Sequence, residues 1–275
     1  MSLSKKSGRN MPMAVASSIV LMAVVLIPLF FFPLLFAVVV SLFAALGTYE
    51  LSEVLKEKRN FRANSYFLAF VAFCLALLGY FQPNFLYVIF ALCFMVIAGI
   101  GSYLETQRSL EAKLAVVIMM YVPFLLGVAN IMIRQHWGKE AIILALLLVI
   151  ANDTGGLIAG MNFGKHKLAP TISPGKTWEG SAGSLLLASV VGIFLITQFS
   201  PLPWWWGVIA AAYIVIAATC GDLFESKIKR TLGIKDMSHL IPGHGGVMDR
   251  LDSIVFALPV IFILWMIVEQ LNILP

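Results

Sequence analysis

Long apolar segments alternate with short polar connections over almost the whole chain. Most of these segments approach the roughly 20 residues that a helix needs to cross about 30 Å of hydrocarbon. They are continuously apolar and lack the residue-by-residue alternation of membrane β-strands, which argues against an outer-membrane barrel. The pattern predicts an all-α polytopic integral membrane protein with about nine transmembrane helices, near residues 12–31, 33–54, 65–81, 84–103, 112–133, 139–160, 180–199, 204–224 and 252–272.

The composition agrees with a location in the bilayer. Hydrophobic residues make up 60% of the 275 positions and charged residues only 12%, and the mean hydropathy is +0.94. The three cysteines, Cys74, Cys93 and Cys220, lie in or at the edge of apolar segments and have no metal-ligand spacing. We therefore expect them to act as small packing residues and not as a disulfide framework.

The basic residues are distributed very unevenly between the two sides of such a bundle. If the predicted helices alternate in direction, every Lys and Arg except Arg134 and Lys139 falls in the N-terminal segment or in connections on the same side. Short loops rich in Lys and Arg stay in the cytoplasm, so we expect a cytoplasmic N-terminus and a C-terminus outside. The net charge of +5 then reflects membrane topology and does not indicate a nucleic-acid partner.

Polar residues are concentrated in the second half of the chain. We interpret residues 1–275 as one membrane domain, in which 1–133 supply mostly scaffold helices and 139–272 supply the catalytic helices and cytoplasmic loops. The most polar segment, 221–252, holds five acidic residues, five basic residues, two His and five Gly. Charge is costly beside a bilayer, so such a cluster indicates a functional site.

Carboxylates in this segment suit a divalent cation. Asp222 begins a run with the spacing of one helix face, and Asp249 and Asp252 lie three residues apart at the start of the last predicted helix. The helix dipole is an alternative explanation for Asp249 and Asp252, because it favours acidic side chains at a helix N-terminus. It stabilises such a side chain by only about 0.3–1 kcal/mol. A shared Mg²⁺ explains the cluster better, because Mg²⁺ takes oxygen ligands and often binds through one or two carboxylates plus substrate phosphates.

A second polar segment, 152–180, ends just before the seventh predicted helix. It contains Asp153 inside an apolar stretch, and further on Ser173, Lys176, Thr177 and Glu179. The Ser/Thr and Glu side chains suit helix capping, whereas Lys176 beside Ser173 also suits phosphate binding. The segment is not a P-loop, since the first glycine of that motif is missing.

The two segments together resemble the CDP-diacylglycerol synthase family, also called phosphatidate cytidylyltransferases, over roughly residues 100–272. The matching residues are Ser226-Lys227-Ile228-Lys229-Arg230, Lys235-Asp236, His244-Gly245-Gly246 and Asp249-Arg250-Leu251-Asp252, with FGKHKLAPTISPGKTWEG upstream. The chain departs from the family near Met161, where an Arg commonly precedes Phe-Gly-Lys. The N-terminal helices match the family in hydropathy alone.

The resemblance implies transfer of CMP from CTP to phosphatidic acid, giving CDP-diacylglycerol and pyrophosphate, with Mg²⁺ and often a second cation such as K⁺. The distribution of Lys and Arg places both polar segments on the cytoplasmic side, so we expect the active site on the cytoplasmic face of a multi-pass protein of the bacterial cytoplasmic (inner) membrane. The resemblance favours a homodimer.

On this reading Asp222 and Asp249 hold the metal, with Asp252 as a further ligand. The catalytic residues are Asp222, Asp249, Lys229, Arg230 and Arg250. The substrate-binding residues are Ser173, Lys176, Thr177, Glu179, Ser226, Lys227, Lys235, His244, Gly245 and Gly246.

Two other classes of protein fit parts of the pattern. CTP-dependent kinases of polyprenols or related lipid alcohols carry a similar Ser-Pro-x-Lys-Thr-x-Glu-Gly block, but the downstream His-Gly-Gly and Asp-Arg-x-Asp motifs favour the cytidylyltransferase. An ion-coupled transporter would have acidic residues distributed through the membrane depth. Here almost all of them fall at predicted helix ends on one side.

Overall fold

The computed structural model describes residues 11–82, 84–238, 240–241 and 245–271. Within these ranges the chain forms ten helices and one two-stranded hairpin. The helices are α1 Met11–Phe31, α2 Pro33–Arg59, α3 Ser65–Phe81, α4 Asn84–Thr106, α5 Ser109–Tyr121, α6 Pro123–Met132, α7 Gly138–Phe163, α8 Trp178–Phe199, α9 Trp205–Leu232 and α10 Met248–Gln270. The strands are β1 Lys167–Ala169 and β2 Ser173–Thr177.

The predicted polytopic helical architecture is confirmed. Among the described residues, seven helical segments are long and apolar enough to cross a membrane: α2, α4, α5 with α6, α7, α8, α9 and α10. Two further apolar segments are shorter: Ile19–Phe31, which is the last part of α1, and Ser65–Phe81, which is α3. The count of about nine spans, the orientation of the termini and the division into scaffold and catalytic parts stay predictions.

The observed helices differ most from the predicted bounds at four places, the first of which is the end of α2 at Arg59 and not near 54. The fifth predicted span divides into α5 and α6 because Pro123 has no N–H to donate to the carbonyl of Met119. Helix α9 continues well beyond residue 224 and ends where Gly233 adopts a left-handed φ of 70°. Helix α10 begins at Met248 and not near 252. Hydropathy marks the apolar part of a helix, and it misses these polar extensions.

The hairpin between α7 and α8 was not predicted. Its strands are antiparallel, with Lys167 opposite Thr177 and Ala169 opposite Ser173. Strand β2 leads directly into α8, whose N-cap is Thr177: its hydroxyl accepts a hydrogen bond from the Gly180 amide at 3.0 Å. The hairpin therefore fixes the residues just before α8 against the end of the bundle.

One buried amide links three helices of the N-terminal half. The Asn130 Nδ2 atom on α6 donates to the carbonyl oxygens of Ala37 on α2 (3.2 Å) and Ala76 on α3 (2.9 Å). It also donates to the hydroxyl of Ser41 at 3.1 Å. Buried polar groups need such partners because water is absent from the interior, so Asn130 sets how α2, α3 and α6 pack.

Helices α9 and α10 approach closely at Gly221. A Cβ atom at this position would lie 2.3 Å from the carbonyl oxygen of Asp252. Only glycine permits this contact between the two backbones, and small residues serve the same purpose at many membrane helix interfaces. The contact brings the polar ends of α9 and α10 together.

We predict that Asn130→Ala destabilises the bundle measurably. The two N–H hydrogens of this amide are shared among three acceptors, and two interhelical hydrogen bonds at about 0.6 kcal/mol each give a loss of about 1 kcal/mol and a melting temperature in detergent lower by about 2–4 °C. Asn162→Ala is the control, because Asn162 is exposed and, among the residues that the structure describes, its side chain donates to the Ile158 carbonyl of its own helix. Equal melting temperatures for the two variants would contradict the role of Asn130.

Candidate active site

Three parts of the chain that are distant in sequence meet at one end of the bundle. The Arg230 Nε atom at the end of α9 donates to the carbonyl of Ile172 in the hairpin at 3.3 Å. Arg59 at the end of α2 donates to the carbonyl of Thr231 at 2.8 Å. We call this region, formed by the hairpin, the end of α2 and the α9–α10 connection, the polar end.

The first ion pair at the polar end joins the hairpin to α9. The Lys176 ammonium lies 2.5 Å from Asp222 Oδ2, and the Ser226 hydroxyl donates to Asp222 Oδ1 at 3.2 Å. Both charged side chains remain partly accessible to solvent. The structure thus brings the two polar segments singled out in the sequence into direct contact.

The second ion pair is more deeply buried and joins α9 to α10. The Lys229 ammonium lies 2.9 Å from Asp249 Oδ1 and 3.1 Å from Glu225 Oε1. The Glu225 side chain is fully buried and that of Asp249 is 6% exposed. Because removing one partner would leave an uncompensated buried charge, the three side chains fix each other's positions.

Asp249 also orders the α9–α10 connection. Its Oδ2 atom accepts hydrogen bonds from the backbone amides of Met237 at 2.9 Å and Gly246 at 2.8 Å. Gly245 has a φ of 85°, a left-handed conformation that favours glycine. His244, which was predicted to bind substrate, lies outside the described residues.

A pocket with a cavity volume of about 330 Å³, partly open to solvent, lies beside the first ion pair. This volume is at the lower end of the range of small-molecule sites. Its polar lining includes residues from α7, β2, α8 and α9: Asn152, Asp153, Ser173, Lys176, Thr177, Ser181, Ser184, Thr219 and Asp222. The predicted residues Ser173, Lys176, Thr177 and Asp222 therefore share one pocket.

Three carboxylates gather near this pocket. Asp252 lies within electrostatic range of both Asp222 and Asp153, and Asp153 is within range of the Lys176 ammonium and the Arg250 guanidinium. The Asn152 amide donates to Asp153 Oδ1 at 2.9 Å. The sequence drew attention to Asp153 as a buried acid without assigning it a role, and the structure places it in the pocket lining.

The donor set fits a cation that completes its coordination with substrate oxygens. Within the described ranges, no group of three or more His, Cys, Asp or Glu side chains is arranged to hold a metal ion on its own. Asp222 and Asp252 nevertheless interact, and neighbouring like charges favour a cation between them. Mg²⁺ suits this arrangement because it often uses only one or two protein carboxylates.

Several other predicted residues lie around the pocket. Glu179 accepts hydrogen bonds from the Lys165 and His166 amides and lies 2.6 Å from His166 Nδ1, so it shapes the turn between α7 and β1. Lys227 and Lys235 are exposed at the polar end. Arg250 does not line this pocket; it lines a different, apolar cavity.

Glu50 is a structural residue of the site that the sequence interpretation missed. It belongs to α2 and is only 2% exposed. Its carboxylate accepts from the Ser238 hydroxyl at 2.6 Å and from the Val247 and Met248 amides at 2.9 and 2.8 Å. An acid inside an otherwise apolar predicted span was the signal that could have found it.

Comparison with known proteins agrees with this arrangement. Residues 13–268 match the cytidylyltransferase family. The phosphatidate cytidylyltransferase of Haemophilus influenzae is 31% identical over 292 aligned positions, which cover 89% of this chain and 95% of that protein. The enzyme of that name from Mycobacterium leprae is 39% identical over 165 positions, covering 60% of this chain and 51% of that protein.

The Bacillus subtilis phosphatidate cytidylyltransferase is 34% identical over 151 positions, covering 54% of this chain and 55% of that protein. The chain thus spans about half the length of the mycobacterial and Bacillus relatives and nearly all of the Haemophilus one. With the family match extending over most of the sequence, the chain belongs to the cytidylyltransferase family.

Proposed function

We propose that the protein transfers CMP from CTP to phosphatidic acid, forming CDP-diacylglycerol and pyrophosphate. The observation that carries the proposal is the polar pocket in which Lys176 from the hairpin meets Asp222 from α9. A basic and an acidic side chain in the lining of such a pocket suit a triphosphate and its cation. The names of the relatives supply the specific reaction.

The reaction needs positioning and charge neutralisation more than proton transfer. A phosphate oxygen of phosphatidic acid attacks the α-phosphorus of CTP, a new O–P bond forms, and the bond from the α-phosphorus to the bridging oxygen breaks as pyrophosphate leaves. The attacking phosphomonoester is already anionic near neutral pH, so no strong general base is required. The site would lower the reaction barrier by aligning the two substrates in line and by stabilising charge on the phosphate oxygens.

Basic side chains of the polar end would neutralise these phosphates. They are Lys176, Lys229, Arg230, Lys235 and Arg250. Ser173, Thr177, Ser226, Lys227 and the His244-Gly245-Gly246 turn would add hydrogen bonds or charge, and Glu179 would act by shaping the turn before β1. Lys229 is already bound to Asp249 and Glu225, so its ammonium is oriented before substrate arrives.

The carboxylates would hold a divalent cation. We propose that Asp222 and Asp252 hold Mg²⁺ and expect a second cation such as K⁺ nearby. Asp249, which the sequence predicts as a ligand beside Asp222, would join them by exchanging its contacts with Lys229 and with the Met237 and Gly246 amides for the cation. Bound Mg²⁺ would polarise the phosphate oxygens and stabilise the charge that develops on them.

The proposal includes a location and an assembly. The active site would face the cytoplasm, where CTP is available, in a protein of the bacterial inner membrane. The uneven distribution of Lys and Arg supports this orientation, since only Arg134 and Lys139 fall on the other predicted side. We expect a homodimer and no nucleic-acid partner.

The reaction is tested with purified protein, phosphatidic acid, Mg²⁺ and CTP labelled separately at the α- and γ-phosphates. We expect the α-label in a lipid-extractable cytidine product and the γ-label in pyrophosphate. Chelation with EDTA should abolish both signals and excess Mg²⁺ should restore them. A lipid kinase would instead move the γ-label to the lipid and release CDP, and either this result or no labelled lipid would overturn the proposal.

The pair between the hairpin and α9 has a direct test. Lys176→Ala and Asp222→Asn should each lower kcat/KM by about 10²-fold or more, because each removes charge that is aligned on the phosphates or their cation. Lys165→Ala and Glu57→Gln serve as matched controls, since both side chains are exposed outside the pocket. Unchanged turnover in either pocket variant would remove that residue from the site.

Glu50 has a separate test as a positioning residue. Glu50→Gln should keep the fold, but it replaces charge-assisted hydrogen bonds to Ser238, Val247 and Met248 with weaker ones. Because the same connection orients Asp249 through Gly246, we expect the Mg²⁺ concentration for half-maximal turnover to rise several-fold. Glu53→Gln on the same helix is the control. A lower melting temperature with an unchanged Mg²⁺ requirement would show that Glu50 is only structural.

A further inference from the structure

The pocket that Lys176 and Asp222 share also contains a buried acceptor without a partner. Asn152 on α7 lines this pocket and is only 5% exposed. In the part of the chain that the structure describes, no group donates a hydrogen bond to its Oδ1 atom. An unbonded buried acceptor is unfavourable, because it has lost water and gained no other partner. Its position in a pocket lining therefore indicates a ligand that brings a hydrogen-bond donor.

The side-chain amide of Asn152 is held in one orientation. Its Nδ2 atom donates to Asp153 Oδ1 at 2.9 Å, and a carboxylate offers acceptors only. The NH₂ group of Asn152 must therefore face Asp153, and Oδ1 is the atom that a ligand would meet. The backbone is held as well, because the Ser184 hydroxyl on α8 donates to the Asn152 carbonyl at 2.6 Å. The acceptor is thus fixed before a ligand binds, which selective recognition requires.

Asn152 lies deeper in the bundle than the hairpin. The hairpin packs on α7 at Gly160, where an added Cβ atom would lie 3.4 Å from the Thr177 hydroxyl oxygen. Asn152 precedes Gly160 by eight residues, which is about 12 Å along the helix. The pocket therefore has two chemically different ends: Lys176 supplies a cation beside the hairpin, and Asn152 supplies an acceptor farther inside.

One group of the proposed substrates matches this polarity. Ionised phosphates and the ester groups of phosphatidic acid accept hydrogen bonds, whereas the 4-amino group of cytosine donates them. That amino group is also at the end of CTP farthest from the triphosphate, with the ribose between them. Uracil carries a carbonyl oxygen at the same ring position, and this oxygen would face the Asn152 Oδ1 atom as a second acceptor.

We infer that Asn152 selects the cytosine base of CTP, with its Oδ1 atom accepting a hydrogen bond from the 4-amino group. The triphosphate would then lie toward Lys176 and the base toward α7, so that one pocket reads both ends of the nucleotide. The inference rests on the proposed function and deepens it, because it names the residue that distinguishes cytidine from uridine nucleotides.

The first test changes the nucleotide and leaves the protein as it is. It compares kcat/KM for CTP, for UTP and for the triphosphate of 2-pyrimidinone riboside, which lacks the 4-amino group. Wild-type protein should favour CTP over UTP by about 10²-fold or more, because a site that bonds a donor rejects a substrate with an acceptor in its place. It should favour CTP over the pyrimidinone nucleotide by about tenfold, the effect of one hydrogen bond. Equal use of CTP and the pyrimidinone nucleotide would overturn the inference.

The second test removes the acceptor. In Asn152→Ala, kcat/KM for CTP should fall about tenfold, and CTP and the pyrimidinone nucleotide should be used equally within about twofold, because the amino group has lost its partner. Asn152→Leu, which keeps the side-chain volume, is the second variant if the first does not fold. Asn162→Ala is the matched control, since Asn162 is exposed on the same helix outside the pocket lining. A variant of Asn152 that keeps the wild-type preference, or that loses only a preference for CTP over 2′-deoxy-CTP, would contradict base recognition.

Binding without turnover separates this inference from the proposed function. The dissociation constants of CTP and UTP are measured in detergent with Mg²⁺ and without phosphatidic acid. If wild-type protein forms no cytidine lipid but binds CTP more tightly than UTP, and Asn152→Ala does not, the proposed function fails and the inference stands. If the lipid product forms but Asn152→Ala keeps the wild-type ratios, or if wild-type protein binds CTP and UTP equally, the inference fails.

Discussion

Lys229 places an ammonium between two carboxylates, 2.9 Å from Asp249 and 3.1 Å from Glu225, where the apolar bundle meets its polar end. Charges in such surroundings are tolerated only when they are paired, and loss of one partner is more costly than loss of the pair. The three side chains therefore hold α9 and α10 in one relative position. The close contact of Gly221 with the Asp252 carbonyl depends on the same alignment.

The rest of the polar end is arranged around this ion cluster. Asp249 orders the connection before α10 through the Met237 and Gly246 amides, and Glu50 holds the other side of that connection from α2. One helical turn before Glu225 on α9, Asp222 pairs with Lys176 and so fixes the hairpin. Carboxylates from α2, α9 and α10 thus organise basic side chains and backbone amides at the polar end.

The sequence predicted the helical membrane architecture and the two polar segments of the site for clear physical reasons. Hydropathy over about 20 residues is a strong signal, and charge beside lipid is rare enough to mark function. The contact of Lys176 with Asp222 was not predictable in detail, because spacing along the chain does not show which loops meet. Glu50 was missed because it lies in a helix interpreted as scaffold, although its charge in an apolar span was visible. The break at Pro123 and the extension of α9 to Leu232 follow from hydrogen bonding, which hydropathy does not report.

The central claim is that the hairpin and the adjoining ends of α9 and α10 form one nucleotide site. It is tested most directly by a structure of the protein determined with CTP and Mg²⁺ in lipid nanodiscs. The account predicts that the triphosphate contacts Lys176 from the hairpin together with Lys229 or Arg250 from the α9–α10 region, with the cation on Asp222. A triphosphate bound by only one of these segments, or in another cavity, would contradict it.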